Sequence, residues 1–174
     1  DRKGLFNAVH ERVRHLLAEG GCTIDAYCVH SRDNAFTRKV RHTPKTPSVD
    51  HVIIDDIRYE MMWYRFSVVD HVLVEKMHRR PLLFKSLVRR VVDRLQGYDV
   101  LIGHSFTGSY IAYKAHCIYG TIFFANWHGS DVHTHPWRLP MMLDDTRQIM
   151  KNAACNFFVS KALKDFSDKI VADA

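Results

Sequence analysis

Apolar residues in the first twenty positions return every three or four places, at Leu5, Val9, Val13, Leu16 and Leu17. That period puts them on one face of a helix, and Gly20-Gly21 supplies its stop. The pattern then shortens. Thr23-Ile24-Asp25-Ala26-Tyr27-Cys28-Val29 is rich in strand formers and too short for a helix. Residues 31–48 are polar and proline-bearing and read as a loop, and His51-Val52-Ile53-Ile54 reads as a second strand. The aromatic segment that follows fits helix and strand equally.

From Pro81 the helical period returns. Leu83, Phe84, Leu87, Val88, Val91 and Leu95 make an apolar stripe, Pro81 suits a first turn, and Gly97 ends the segment. Short apolar runs then alternate with helical ones. Strands are predicted at Asp99-Val100-Leu101-Ile102, Thr121-Ile122-Phe123-Phe124-Ala125 and Asn156-Phe157-Phe158-Val159, and helices over about 107–118, about 143–154 and from Lys161. Such alternation predicts an α/β fold whose parallel sheet is covered on both faces, with ligands at the carboxyl ends of its strands. Those ends are Gly103-His104-Ser105, Asn126 to His135, and Ser160-Lys161. A doubly wound sheet normally opens on a strand and a glycine turn, so a first strand is expected before Asp1, with Lys3-Gly4 the remainder of its loop. The helix amino terminus near Gly4 then suits an anion or a sugar; the plain alternative is a loop glycine.

Composition narrows this only a little. A chain of 174 residues, 47% hydrophobic and 25% charged, fits one ordinary globular domain. No apolar run reaches the roughly 18 residues that span a bilayer. Cys22, Cys28, Cys117 and Cys155 are scattered without a CxxC pair, which predicts reduced, buried thiols in the cytoplasm. The net charge of +6 favours acidic partners. No RNA-type aromatic motif or helix-turn-helix signature is present, so nucleic acid is not expected among them. Lys85, Arg89 and Arg90, with Arg79 and Arg80 just before them, could rest on an anionic membrane surface; the alternative is the solvated face of a core-packed helix.

Three constellations could carry chemistry. Gly103-His104-Ser105-Phe106-Thr107-Gly108 lies between a strand and a helix, as a nucleophile elbow does, but the second glycine is one place late and Phe106-Thr107 crowd the turn. A helix N-cap explains Ser105 better. His128, Asp131, His133 and His135 could ligate a divalent metal in a metal-dependent hydrolase, although neighbouring loop residues rarely complete a coordination shell. For His133 and His135 a surface cluster is the simpler account. His128-Gly129 differs, because it leaves an almost wholly apolar strand where this class of sheet holds its ligand. Gly129 would let the backbone approach closely, and Ser130 and Asp131 can hydrogen-bond hydroxyls.

At this loop the chain resembles a known family. A strand followed by Trp127-His128-Gly129-Ser130-Asp131-Val132-His133, with Pro136 nearby, is similar to the amino-terminal domain of the retaining GT-B glycosyltransferases, the family containing phosphatidylinositol mannosyltransferases and sucrose synthases. Lys3-Gly4 resembles the tail of that family's glycine loop, and Leu16-Leu17-Ala18-Glu19-Gly20-Gly21 the end of its first helix. Tyr98-Asp99-Val100-Leu101-Ile102-Gly103-His104-Ser105 is similar to its D-V-I-H-x-H strand. Asn156-Phe157-Phe158-Val159-Ser160-Lys161-Ala162-Leu163 is similar to the serine-ended strand before its last amino-domain helix. Residues 31–75 match nothing in it.

The resemblance implies a Rossmann-like, doubly wound parallel sheet forming one half of a GT-B fold. It implies sugar transfer from a nucleotide-sugar, as co-substrate rather than cofactor, to the hydroxyl of a carbohydrate or glycolipid acceptor with retention, in surface polysaccharide or glycolipid synthesis. His128 would contact the donor sugar near the reacting carbon, and Asp131 would make a polar contact to donor or acceptor. Gly4 would face the donor phosphates or sugar, while His104, Ser105, Gly129 and Ser160 would line the cleft. No metal is expected. Nothing matches the family's P-N-G-x-D linker or its spaced glutamate pair, so the chain is expected to form the acceptor side and to be catalytically silent alone. A non-catalytic sugar-binding module of the same fold is the remaining alternative.

Overall fold

The computed structural model describes residues 2–42, 45 and 49–172. The chain divides into two compact units: residues 1–28 with 47–62, and residues 29–46 with 63–174.

In the first unit α1 (Arg2–Glu19) realises the opening apolar period. Val13 packs with Ile57 and Tyr59 in a small core, joined by Phe6, Val9, Ile24, Ala26, Cys28 and Ile54. Leu16 and Leu17, on the same stripe, stay exposed. Lys3 and Gly4 fall inside α1, not in the expected loop. The strand β2 (His51–Ile54) has the predicted bounds and pairs antiparallel with β3 (Ile57–Phe66), with Ile54 opposite Ile57 across a turn at Asp55-Asp56. The ambiguous aromatic segment is therefore mostly strand, and Asp55 and Asp56 carry the positive φ of that tight turn.

The first strand, β1 (Ala26–Asp33), starts three residues later than its composition suggests and runs into the segment read as a loop. That segment also holds α2 (Ala35–Arg41), which polarity hid. Asn34 starts it: its Oδ1 accepts from the Thr37 backbone N–H at 2.7 Å and from the Thr37 hydroxyl at 2.9 Å. The strand order of this first sheet is β1-β3-β2.

The second unit continues with α3 (Val68–Glu75) and α4 (Phe84–Arg94), where Phe84, Leu87, Val88, Val91 and Leu95 of the predicted stripe are buried together with Val92, while Leu83, ahead of the first turn, is exposed. Pro81 lies ahead of α4, its carbonyl accepting from Phe84 N–H at 3.2 Å, instead of within the first turn. After α4 the alternation holds: β4 (Val100–His104), α5 (Ser105–Tyr119), β5 (Ile122–Trp127), two short turns of helix α6 (Ser130–His133) and α7 (His135–Arg138), α8 (Pro140–Asn152), β6 (Cys155–Phe158) and α9 (Lys161–Ala172). These strands form a separate parallel sheet, ordered β4-β5-β6. The fold is thus α/β, but the described strands make two three-stranded sheets instead of the one expected.

Coverage also departs from expectation. Leu101, Gly103, Phe123, Ala125 and Trp127 are buried on the face that meets α5. α5 packs on α8 and α8 on α9, so the helices between and after the strands return over that one face. On the other face Val100, Ile102, Ile122 and Phe157 are exposed. The cysteines correct another expectation. All four are free, but only Cys28 is even partly buried, because Cys22, Cys117 and Cys155 lie on solvent-facing positions. Among the described residues no helix is long and apolar enough to cross a membrane.

Candidate functional site

Parallel register brings every strand of the second sheet to its carboxyl end on the same edge. His104 pairs across to Asn126 and Trp127 to Phe158. This edge collects His104, Ser105, His128, Gly129, Asp131 and Ser160, six of the seven predicted site residues. The seventh, Gly4, is an exposed residue of α1 in the other unit, and a side chain there would meet nothing within 4 Å.

The floor of the edge is packed backbone. Gly103 approaches α5 so closely that a Cβ would stand 2.5 Å from the Ser109 Cα, a contact no side chain tolerates. Its carbonyl accepts from the Asn126 Nδ2 and the Ser109 hydroxyl, both at 3.3 Å. The fully buried Trp127 ring donates its Nε1–H to Asn156 Oδ1 at 2.9 Å, and Asn156 in turn donates to the Met150 carbonyl at 2.9 Å. These polar ties satisfy buried groups that would otherwise each cost about 1–3 kcal/mol. Asn126 and Asn156 are organisers not expected from the sequence, although a lone asparagine near the carboxyl end of β5 and another near the amino end of β6, in otherwise apolar runs, are the available signal.

Above this floor the chain turns sharply at Gly129, whose φ of 133° lies where L side chains are strained. Glycine is required here by conformation and not by close approach, since a Cβ would meet nothing within 4 Å. The expected loop after β5 is the helical turns α6 and α7. Asp131, buried at the start of α6, closes the bend: its Oδ1 accepts from Gly129 N–H at 2.8 Å and from His128 N–H at 3.1 Å, with Oδ2 at 3.2 Å from the latter. A carboxylate accepting backbone N–H groups makes charge-assisted bonds, about twice as strong as neutral ones. Asp131 therefore holds the main chain from which the His128 ring projects.

The outcome is an imidazole pair. His104 Nδ1 lies 3.3 Å from His128 Nε2, with ring centroids 5.6 Å apart and 29° between planes. One ring must donate and the other accept, so the contact couples their tautomers. Both rings are half-buried. Such a pair can present an N–H to an oxygen and pass a proton, which suits orienting hydroxyls and stabilising developing charge.

The remaining candidates separate from this pair. Ser105 is the first residue of α5, while His104 takes the N-cap position expected of Ser105. Ser105 holds φ at 57°, a left-handed conformation that costs a non-glycine residue about 1–3 kcal/mol. Ser160 caps α9, its hydroxyl accepting from Leu163 N–H at 3.2 Å. His133 packs on the Phe166 ring at 4.3 Å between centroids, and His135 is exposed. Among the described residues no three His, Cys, Asp or Glu side chains are grouped so as to hold a metal ion. A hollow of about 470 Å³ lies at the opposite end of the strands, beside Tyr98, Asp99, Gly120 and Thr121, away from the end where parallel sheets bind ligands.

No family model, curated protein or solved structure matches the chain.

Proposed function

We propose that this chain is the acceptor-side domain of a retaining GT-B glycosyltransferase, which moves a sugar from a nucleotide-sugar to a carbohydrate or glycolipid hydroxyl. The observation that carries the reading is the His104–His128 pair at the carboxyl ends of adjacent parallel strands. The alternation β4-α5-β5-α8-β6-α9 along a parallel sheet is compatible with a Rossmann-like unit, with its helices on one face among the described residues. Four free cysteines fit a cytoplasmic protein.

In this reading a second domain carries the nucleotide and closes the cleft. His128, oriented through Asp131, hydrogen-bonds the donor sugar beside its reacting carbon, and His104 sets the tautomer of His128. No protein nucleophile is needed, because the leaving phosphate accepts the acceptor proton on the same face of the sugar. The work of the domain is then positioning and electrostatic stabilisation. Ser105 and Ser160 flank the pair along the strand edge.

The test is turnover by the polypeptide that joins this domain to its nucleotide-binding partner. A panel of nucleotide-sugars is offered with hydroxyl acceptors, and the anomeric configuration of the product is read by NMR. Retention is expected, and His128→Ala is expected to lower kcat by about a hundredfold or more. An inverted product, or an unchanged rate for His128→Ala, would overturn the reading.

A further inference from the structure

Between α3 and the first turns of α4 the second unit exposes what a folded domain ordinarily hides. Val69, Val72, Met77, Leu82 and Leu83 are each between 44% and 64% exposed. They are neighbours as well as close in sequence. Val69 and Val72 share one face of α3 at i, i+3 spacing. Met77 N–H donates to the Val72 carbonyl at 3.2 Å, and Leu82 N–H donates to Asp70 Oδ1 at 2.7 Å, which folds the connection back onto the start of α3.

The charges around this patch have one sign. From Lys76 to Arg90 the chain has six Lys or Arg residues and no Asp or Glu. Arg80 is spent internally, paired with Asp145 and lying over the Tyr110 ring. Lys76, Arg79, Lys85, Arg89 and Arg90 are exposed. Asp70 does not offset them at the surface, since its buried carboxylate caps α3 through Ser67 and holds Leu82. Glu75 and Asp93 flank the run on either side. Exposed apolar residues in and beside a run whose exposed charges are all cations are complementary to an anionic lipid surface, where the leucines enter the acyl boundary and the cations meet headgroup phosphates. A polyanion without an apolar layer would leave the exposed leucines unused.

We propose that the α3–α4 segment docks the protein peripherally on anionic membranes through Leu82 and Leu83, with Lys76, Arg79, Lys85, Arg89 and Arg90 as the electrostatic contact. The inference uses none of the strand-end residues and stands apart from the chemistry assigned to them.

The test is cosedimentation with vesicles of phosphatidylcholine and phosphatidylglycerol in equal parts, against vesicles of phosphatidylcholine alone. Binding is expected only to the former, and raised salt is expected to weaken it. Lys85→Glu with Arg89→Glu should lower the partition coefficient by about 30-fold or more. Leu82→Ser with Leu83→Ser should lower it by about tenfold. Val69→Ser with Met77→Ser serves as the second apolar variant if the leucine pair fails to fold. Lys151→Glu with Lys164→Glu, exposed positions on α8 and α9, should leave binding within about twofold of the wild type. Equal binding to both vesicles, wild-type binding by a folded apolar variant, or an equal loss in the α8–α9 control would each overturn the proposal.

Discussion

In the first unit His10 is held by its ring. Nδ1 lies 2.7 Å from the Tyr59 hydroxyl and Nε2 lies 2.9 Å from Asp55 Oδ2, while Phe6 stacks on its face. In the second unit His128 is held by its backbone, through Asp131, and its ring is turned toward His104. His10 is buried and His128 half-buried. The contrast separates two uses of one residue type. A histidine with one ring nitrogen on a buried phenol and the other on an exposed turn carboxylate links a helix to a hairpin. One placed by its main chain at a strand end has its ring oriented without being enclosed.

The largest effect is expected beneath the second histidine. Gly103→Ala drives a methyl group into the α5 backbone, so stability should fall by about 3 kcal/mol or more in urea unfolding. A loss under about 1 kcal/mol would mean that α5 moves freely and that the floor does not set the pair's geometry.

The two histidines themselves come next. His10→Ala leaves the buried Tyr59 hydroxyl without its partner and should cost about 2 kcal/mol. His128→Ala should change stability by less than about 1 kcal/mol while abolishing the imidazole contact. Equal losses in thermal or urea unfolding would erase the distinction between a core histidine and a site histidine.

Asp131→Ala should cost about 1.5 kcal/mol, because two buried-edge N–H groups lose a charged acceptor. Its sharper sign is at the ring. The His128 imidazole resonances should broaden or shift as the bend at Gly129 loosens, and unchanged NMR spectra would remove Asp131 from the positioning of His128.

The smallest effect is a pH dependence confined to the first unit. The Tyr59 hydroxyl titrates above its ordinary value of 10.0, chiefly because it is buried, with the charges of Cys28 and Asp55 adding to the effect. The fold thus keeps the neutral phenol, whereas the unfolded chain releases that proton first. The contribution is whole below pH 10 and declines as pH rises through the folded value. Tyr59→Phe should flatten that alkaline decline in unfolding experiments, and an unaltered slope would assign it to other groups.

Much of this was legible in the residues. The 3.6 period marked α1 and α4, although α1 fully buries only Val13 of its stripe, and the short apolar runs located β4, β5 and β6 to within two residues. His128 stood out because a polar residue ended an apolar strand. α2 was invisible because its start depends on one side-chain cap at Asn34 inside a polar segment. Nor could the residues show that Asp131 would turn inward to the backbone, or that Ser160 would cap α9.

By itself, then, the amino-acid order determined what neighbours within about four positions decide: periods, caps, turn glycines and the apolar character of each strand. Only the tertiary structure decided that the strands form two sheets, that the helices cover one face of the second, and that His104 meets His128. The pairing of β4 with β5 and of β5 with β6 joins segments far apart in the chain, 24 residues in the case of the two imidazoles, where several registers satisfy the same local pattern and burial across the whole unit selects one.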